Sequence, residues 1–302
     1  MTDRASRAGV LLAAAGAISY GVTVVIGRDL AGAGVGSATA LAARFAVAGG
    51  ILLALLQVRR VPLATSRRGV VTGLVLGAWY SMQSAFFFSA LERGTAAAVT
   101  LVFYVFPAMV TVVEVLRGRE RLRRSLVGAL ALSSAGTAVV VIGGGDVAIT
   151  VAGLLFALAA AATFAGYLLG GGEVAEAEDP MALAGLVSIS AAALSLGRGA
   201  VTGELVDPSH RLVELAGYGL ATALAFSLTF AAIRRIGATH VSVVMTLEAA
   251  SAVAMAAVFL GESINITQAI GGVAVLGAAV VIARSQPSEV ATATATAPAA
   301  GT

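Results

Sequence analysis

The sequence predicts an all-α integral membrane protein of ten transmembrane helices, arranged as two inverted five-helix repeats. Three observations predict it. Hydrophobic residues make up 59% of the 302-residue chain and charged residues 12%, with a mean hydropathy of +0.96, a balance that does not fit a soluble surface. Apolar stretches that meet the roughly 20 residues needed to cross a bilayer recur along the chain. The two halves also carry matching polar punctuation at one spacing.

The apolar stretches of the first half run Gly9 to Ile26, Ser37 to Gln57, Gly69 to Leu91, Ala96 to Leu116 and Leu122 to Ile142. Those of the second run Ile149 to Leu169, Met181 to Leu196, Leu212 to Ile233, Ala238 to Leu260 and Thr267 to Ala283. The first stretch, behind Arg4 and Arg7, has the flanks of a signal peptide. Its apolar run is long and another span follows closely, so it reads as a retained helix. Turn formers and charges mark the breaks, as in Arg59-Arg60-Val61-Pro62 and Glu178-Asp179-Pro180. The expected division is 1–145 for the first repeat, 146–284 for the second, and a disordered Ala/Thr-rich cytoplasmic tail over 285–302.

Arginine placement orients the chain, because cytoplasmic loops collect basic residues. The N-terminus, the even-numbered loops and the C-terminus hold Arg4, Arg7, Arg59, Arg60, Arg67, Arg68, Arg117, Arg119, Arg121, Arg123, Arg124, Arg234, Arg235 and Arg284. The opposite loops hold only Arg28, Arg93, Arg198 and Arg211. Both termini are therefore expected in the cytoplasm, with the protein in a plasma membrane. One loop on that side breaks the pattern: the sixth carries Glu173, Glu176, Glu178 and Asp179 and no Arg.

Composition excludes several kinds of chemistry. There is no Cys, and the only His residues are His210 and His240. Disulfides, thiolate catalysis and Cys-ligated metals are absent, and neither a metal site nor a cofactor is expected. The net charge is +3, but the arginines are spread over loops and not interleaved with aromatics, so no nucleic-acid partner is expected. The absence of Lys, with the Ala and Gly load, points to a GC-rich bacterial coding bias. Gly143-Gly144-Gly145-Asp146 matches the GxGD string of intramembrane aspartyl proteases. That chemistry needs two aspartates sharing a proton, and no second Asp falls within a span. Ten spans leave no room for a sizeable soluble catalytic domain, and the chain is not expected to be an enzyme.

Between the halves, Phe88-Ser89-Ala90-Leu91-Glu92-Arg93 aligns with Phe230-Ala231-Ala232-Ile233-Arg234-Arg235, and the same spacing sets Glu120 against Glu262. Five spans per half make the second copy enter the membrane from the opposite side, the inverted repeat of many secondary transporters. The chain resembles the EamA family of the drug/metabolite transporter superfamily over nearly its whole length. The matching stretches are Ala43-Arg44-Phe45 with Ala48, and Tyr80-Ser81-Met82-Gln83-Ser84 leading to Phe88-Ser89-Ala90-Leu91. Phe103-Tyr104-Val105-Phe106-Pro107, Leu247-Glu248-Ala249 and Phe259-Leu260-Gly261-Glu262 follow. It departs from the family at Arg119, before Glu120, where Gly is usual, and at Ala249, after Glu248, where Pro is common. The second departure removes the basis for a proline kink in the ninth helix. The resemblance implies a ten-helix carrier, often an exporter of amino acids or other small metabolites.

Helix rise and core thickness place Tyr20, Trp79, Tyr104 and Glu248 near mid-membrane, with Gln83 one turn beyond Trp79. These five are the candidate substrate-binding residues. Aromatics at mid-depth are not interface anchors, and Gln83 needs a polar partner that lipid does not supply. Packing between helices is the alternative for each aromatic. Arg44 and Glu248 are candidates for a gating or charge pair, with Glu248 handling a proton or a cationic cargo; structural roles remain the alternative for both. Glu114 reads as an interface charge paired with Arg117, and His240 as a cap or surface residue. Pro107, the only mid-span proline, is a candidate hinge, with a static kink as the alternative. Gly73 with Gly77 and Gly166 with Gly170 have small-xxx-small spacing, which a chain with 36 Gly produces by chance.

The function expected is a secondary transporter, an exporter of small neutral, zwitterionic or amphipathic metabolites. Its expected partners are that small molecule, membrane lipid and a coupled proton. A non-transporting scaffold or sensor is the alternative from another class; a carrier of nucleotide-sugar or lipid-linked cargo is the alternative within transport. Phosphorylated cargo calls for several cations in the cavity, and Arg44 alone supplies one. Substrate identity, direction of transport and oligomeric state stay open at this level.

Overall fold

The computed structural model describes residues 2–63, 66–143, 148–260 and 264–285. The Gly144-Gly145-Asp146 string, Glu262 and the tail from residue 286 lie outside the described residues. The first half comprises α1 (Thr2–Gly32), α2 (Ser37–Arg59), α3 (Arg67–Leu91), α4 (Ala96–Phe103), α5 (Phe106–Leu116) and α6 (Arg124–Ile142). The second comprises α7 (Val151–Val174), α8 (Pro180–Thr202), α9 (Leu212–Val244), α10 (Leu247–Leu260) and α11 (Ile266–Ser285). Beyond helices, the described residues contain one short 3-10 turn, Ser209–Arg211, and one antiparallel bridge, Gly94 with Ile149.

Helix ends follow from local chemistry. Asp179 caps α8 by accepting from the backbone N–H groups of Met181 and Ala182 at 2.9 and 3.2 Å, while Pro180 occupies a first-turn position that needs no donor. Ser66 and Thr150 cap α3 and α7 in the same way, accepting from Gly69 and Gly153.

The spans depart from ten unbroken helices at equivalent places in the two halves. The fourth span divides into α4 and α5 at Tyr104 and Val105. Pro107 has no N–H to return to the Phe103 carbonyl and sits in the first turn of α5, where Thr111 donates to its carbonyl at 2.8 Å. The ninth span divides at Met245 and Thr246 without any proline. There the chain tightens to a Thr246 N–H to Val243 carbonyl bond of 3.3 Å, and the Thr246 hydroxyl donates to the same carbonyl at 2.7 Å. Replacing the family's proline by Ala249 therefore does not remove the ninth-helix break. Two helices meet end to end within α9, at the junction of the eighth and ninth spans. Gly237 bends it there with φ 76°, ψ 163°, a conformation open to glycine.

Packing exchanges the halves symmetrically. α1 lies on α9, and its counterpart α7 on α3; α2 pairs with α8 and α6 with α11. Each of these contacts joins one repeat to the other, so the repeats interdigitate and neither is a separate body. The Gly73 and Gly77 spacing has a structural use in this packing. A methyl at Gly77 would stand 2.4 Å from the Val187 carbonyl oxygen, and one at Gly73 would stand 2.7 Å from Leu186 Cβ, so α3 meets α8 at backbone distance. Gly166 and Gly170 receive Trp79 and Leu76 of α3 similarly.

Candidate functional site

A cavity of about 360 Å³ opens between the repeats. α1 contributes Tyr20 and Thr23, α2 Arg44, α3 Tyr80, Gln83 and Ser84, α9 Tyr218 and α10 Glu248. Its mouth lies among Arg28, Ala31, Ser37 and Leu91, at the face away from the arginine-rich loops, and Val24, Phe87, Phe88 and Phe103 line it with apolar surface. Toward the arginine-rich face a layer of packed rings closes it. Tyr80 lies 4.9 Å from Phe226 and 5.1 Å from Tyr167, Phe164 lies 4.8 Å from Phe106, and Tyr167 lies 5.5 Å from Phe230. Tyr167, Phe106, Phe226 and Phe230 are fully buried.

Arg44 is the buried cation of the site. One guanidinium nitrogen donates to the Tyr218 hydroxyl at 3.0 Å and the other to the Tyr80 hydroxyl at 3.3 Å. The plane lies 4.5 Å from the Phe45 ring centre and 5.0 Å from that of Tyr218, and its Nε has no hydrogen-bond partner. Glu248 sits in the first turn of α10, directly after the helix break, where half-helix N–H groups favour negative charge. Among the described residues no ion pair joins Arg44 to Glu248. The expected charge pair is thus not in contact in this conformation; tyrosine hydroxyls hold the cation instead.

Of the candidate binding residues, Tyr20, Gln83 and Glu248 meet in the cavity, and two do not. Trp79 is 40% exposed and lays its indole against Gly166 of α7, because a turn of about 100° from Tyr80 leaves it at the edge of the cavity face, toward α7. Tyr104 is buried against Phe103 and Phe106 and lines a separate crevice of about 420 Å³ with Val105, Ser134 and Thr137. Pro107 is buried at the α4–α5 break and does not line the cavity. Glu114 pairs with Arg117 at 3.6 Å, and His240 Nδ1 lies 3.0 Å from the Ile236 carbonyl and 3.7 Å from Glu120.

The sequence pattern of the EamA-like transporter family matches residues 7–142 and, a second time, residues 151–284. The chain belongs to this family. It lies within the drug/metabolite transporter superfamily, whose members are transporters. No curated protein matches the chain. Among solved structures 29 chains match, one of them described only as a crystal structure of a protein. It is similar with a TM-score of 0.78 and 20% identity, over 90% of this chain and 95% of that one, which is a likeness of fold.

Within the EamA-like fold, sequence reasoning missed Tyr80 and Tyr218, the two hydroxyls that hold Arg44. A signal for the first was present: Tyr80, Gln83, Ser84, Phe87, Phe88 and Leu91 recur at the three- and four-residue intervals of a single helix face. Trp79 drew attention by its size and its four-residue offset from Gln83. Tyr218 had no comparable signal, since only packing of α9 beside α2 brings it to Arg44.

Proposed function

We propose that this EamA-like protein is a secondary transporter that exports small neutral, zwitterionic or amphipathic metabolites, amino acids among them, by alternating access. The observation that carries the reading is the cavity between the repeats, open at one face and closed by aromatic rings toward the other, with Arg44 and Glu248 both in its wall and not paired. Such a cavity has a cation for a carboxylate, an anion for an ammonium group, and an apolar vestibule for a side chain. Both wall charges are set beside broken or crossing helices, as in transporters whose sites lie between inverted repeats. With both termini cytoplasmic, as arginine placement indicates, the cavity faces outward. Glu248 then serves as the carboxylate that exchanges a proton or a cationic group between the two faces.

The experiment is a metabolite comparison of cells with and without the protein, inside and outside the cell. Export predicts one class of amphipathic or zwitterionic compound depleted outside and accumulated inside when the protein is missing. Accumulation of the same class outside would reverse the direction, and no difference across such compounds would overturn the assignment.

A further inference from the structure

The face opposite the cavity mouth is held by charge as well as by rings. Glu173, in the last turn of α7, accepts from Arg117 at 3.2 Å and from both terminal nitrogens of Arg119. Arg117 in turn lies 3.6 Å from Glu114. Arg117 and Arg119 belong to the segment between α5 and α6, in the first repeat, whereas Glu173 belongs to the second. A second contact also joins the repeats: Glu120 of the first lies 3.7 Å from His240, just past the Gly237 bend of the second, and is an ion pair only when the imidazole is protonated. Between these ties lies a cleft of about 460 Å³ lined by Glu114, Arg119, Glu173, Glu176, Arg234 and Gly237. Most of its lining comes from α7 and α9 of the second repeat, and Glu114 and Arg119 of the first close one side of it. The hydrogen bond to Glu173 also draws the Arg119 guanidinium further into its charged range.

We propose that Glu173 is the latch of a gate on the arginine-rich face: gripped by Arg117 and Arg119, it holds the two repeats together there while the cavity is open at the other face. This rests on reading the chain as an alternating-access carrier. It also gives a role to one acid of the sixth loop, the segment on that face with acids and no Arg: Glu173 meets the most arginine-dense segment of the chain, whereas Glu178 accepts from Ser66 and Asp179 caps α8. The side chains of Arg119 and Glu173 are 52% and 36% exposed, so each pair is weak and salt-screened. A weak tie suits a latch: it biases a two-state element without locking it.

The chain has no Cys, so spin labels can be placed on introduced cysteines without removing native ones. One pair, at Arg121→Cys and Glu176→Cys, spans the latch using exposed positions outside it; a second, at Ala31→Cys and Glu92→Cys, spans the cavity mouth. Distances between labels are measured on the full chain in lipid nanodiscs. Glu173→Gln is expected to raise the long-distance population of the first pair about three- to fivefold, the change set by losing two exposed ion pairs, and to shorten the second pair in parallel. Arg119→Glu is expected to do the same, and adding Glu173→Arg to it to restore the original distribution. An unchanged distribution in Glu173→Gln overturns the proposal. So does lengthening at the latch with no change at the mouth, or a shift that the charge reversal does not undo. None of these readouts needs a cargo, so a responding latch in a protein that exports nothing would overturn the carrier reading alone.

Discussion

At Arg44 a permanently charged group is buried with hydroxyls and ring faces as its partners and no carboxylate in contact. Burying a charge is costly unless it is paired or hydrogen-bonded, so its two tyrosines are structural necessities as much as its cavity setting is functional. The same logic separates Gln83 from Trp79. Gln83 is a buried amide at the cavity wall, and Gln83→Leu is expected to change apparent affinity or cargo range several-fold with membrane expression intact. Trp79→Leu, which alters a contact with Gly166, is expected to leave affinity within about twofold and act only on stability. Transport kinetics of both variants on a panel of cargoes checks this; equal effects would remove Gln83 from the site. For Glu248, Glu248→Gln keeps the shape and removes the charge. In matched vesicles the variant is expected to lose the dependence of net transport on external pH while retaining cargo exchange, and a pH profile equal to wild type would make Glu248 structural.

Among the elements, the two broken helices matter most, because each break turns a span into half-helices whose ends reach the interior. That α10 begins at Leu247 with no proline nearby shows the break to be a property of the packed repeat, with Pro107 adapted to it in one copy only. Close helix approach is the other decisive feature at this scale. A methyl at Gly77 meets a backbone carbonyl at 2.4 Å, which cannot rotate away, and Ser190 Cβ at 2.6 Å. Gly77→Ala is expected to push α3 from α8 and lower stability by about 1–3 kcal/mol, although alanine is the better helix former. A control at Gly128, whose added methyl meets nothing within 4 Å, is expected to be neutral or stabilising. Thermal melting in detergent checks the pair, and an unaffected Gly77→Ala protein would mean that the helices separate at little cost.

For the whole molecule, the pseudo-two-fold exchange of helix pairs would make the proposed alternating access a matter of rocking one set of contacts against its counterpart. Its sidedness is a separate question, settled by labelling. Single cysteines at Ser209 and at Arg121 are both exposed, on opposite faces. An impermeant thiol reagent is expected to reach Ser209→Cys in intact cells and Arg121→Cys only after permeabilisation. The reverse pattern would turn the cavity toward the cytoplasm and overturn the orientation read from arginine placement.

What the sequence determined by itself was the membrane class, the repeat and the order of spans, because hydropathy, charge punctuation and self-similarity are properties of the chain read along its length. It also identified Glu248, Gln83, Tyr20 and Arg44 as unusual, since polar groups at mid-span depth stand out without any fold. Which way a residue faces was decided by tertiary packing. Trp79 and Tyr80 are neighbours in the chain and at one depth, yet a turn of about 100° per residue sends one against Gly166 and the other to Arg44. The partners of Arg44 likewise come from α3 and α9, and those of Glu173 from beyond α5, distances in sequence that no local pattern encodes. Helix rotation and helix neighbours are chosen by the fit of whole surfaces, small residues against large, and only the assembled bundle contains that information.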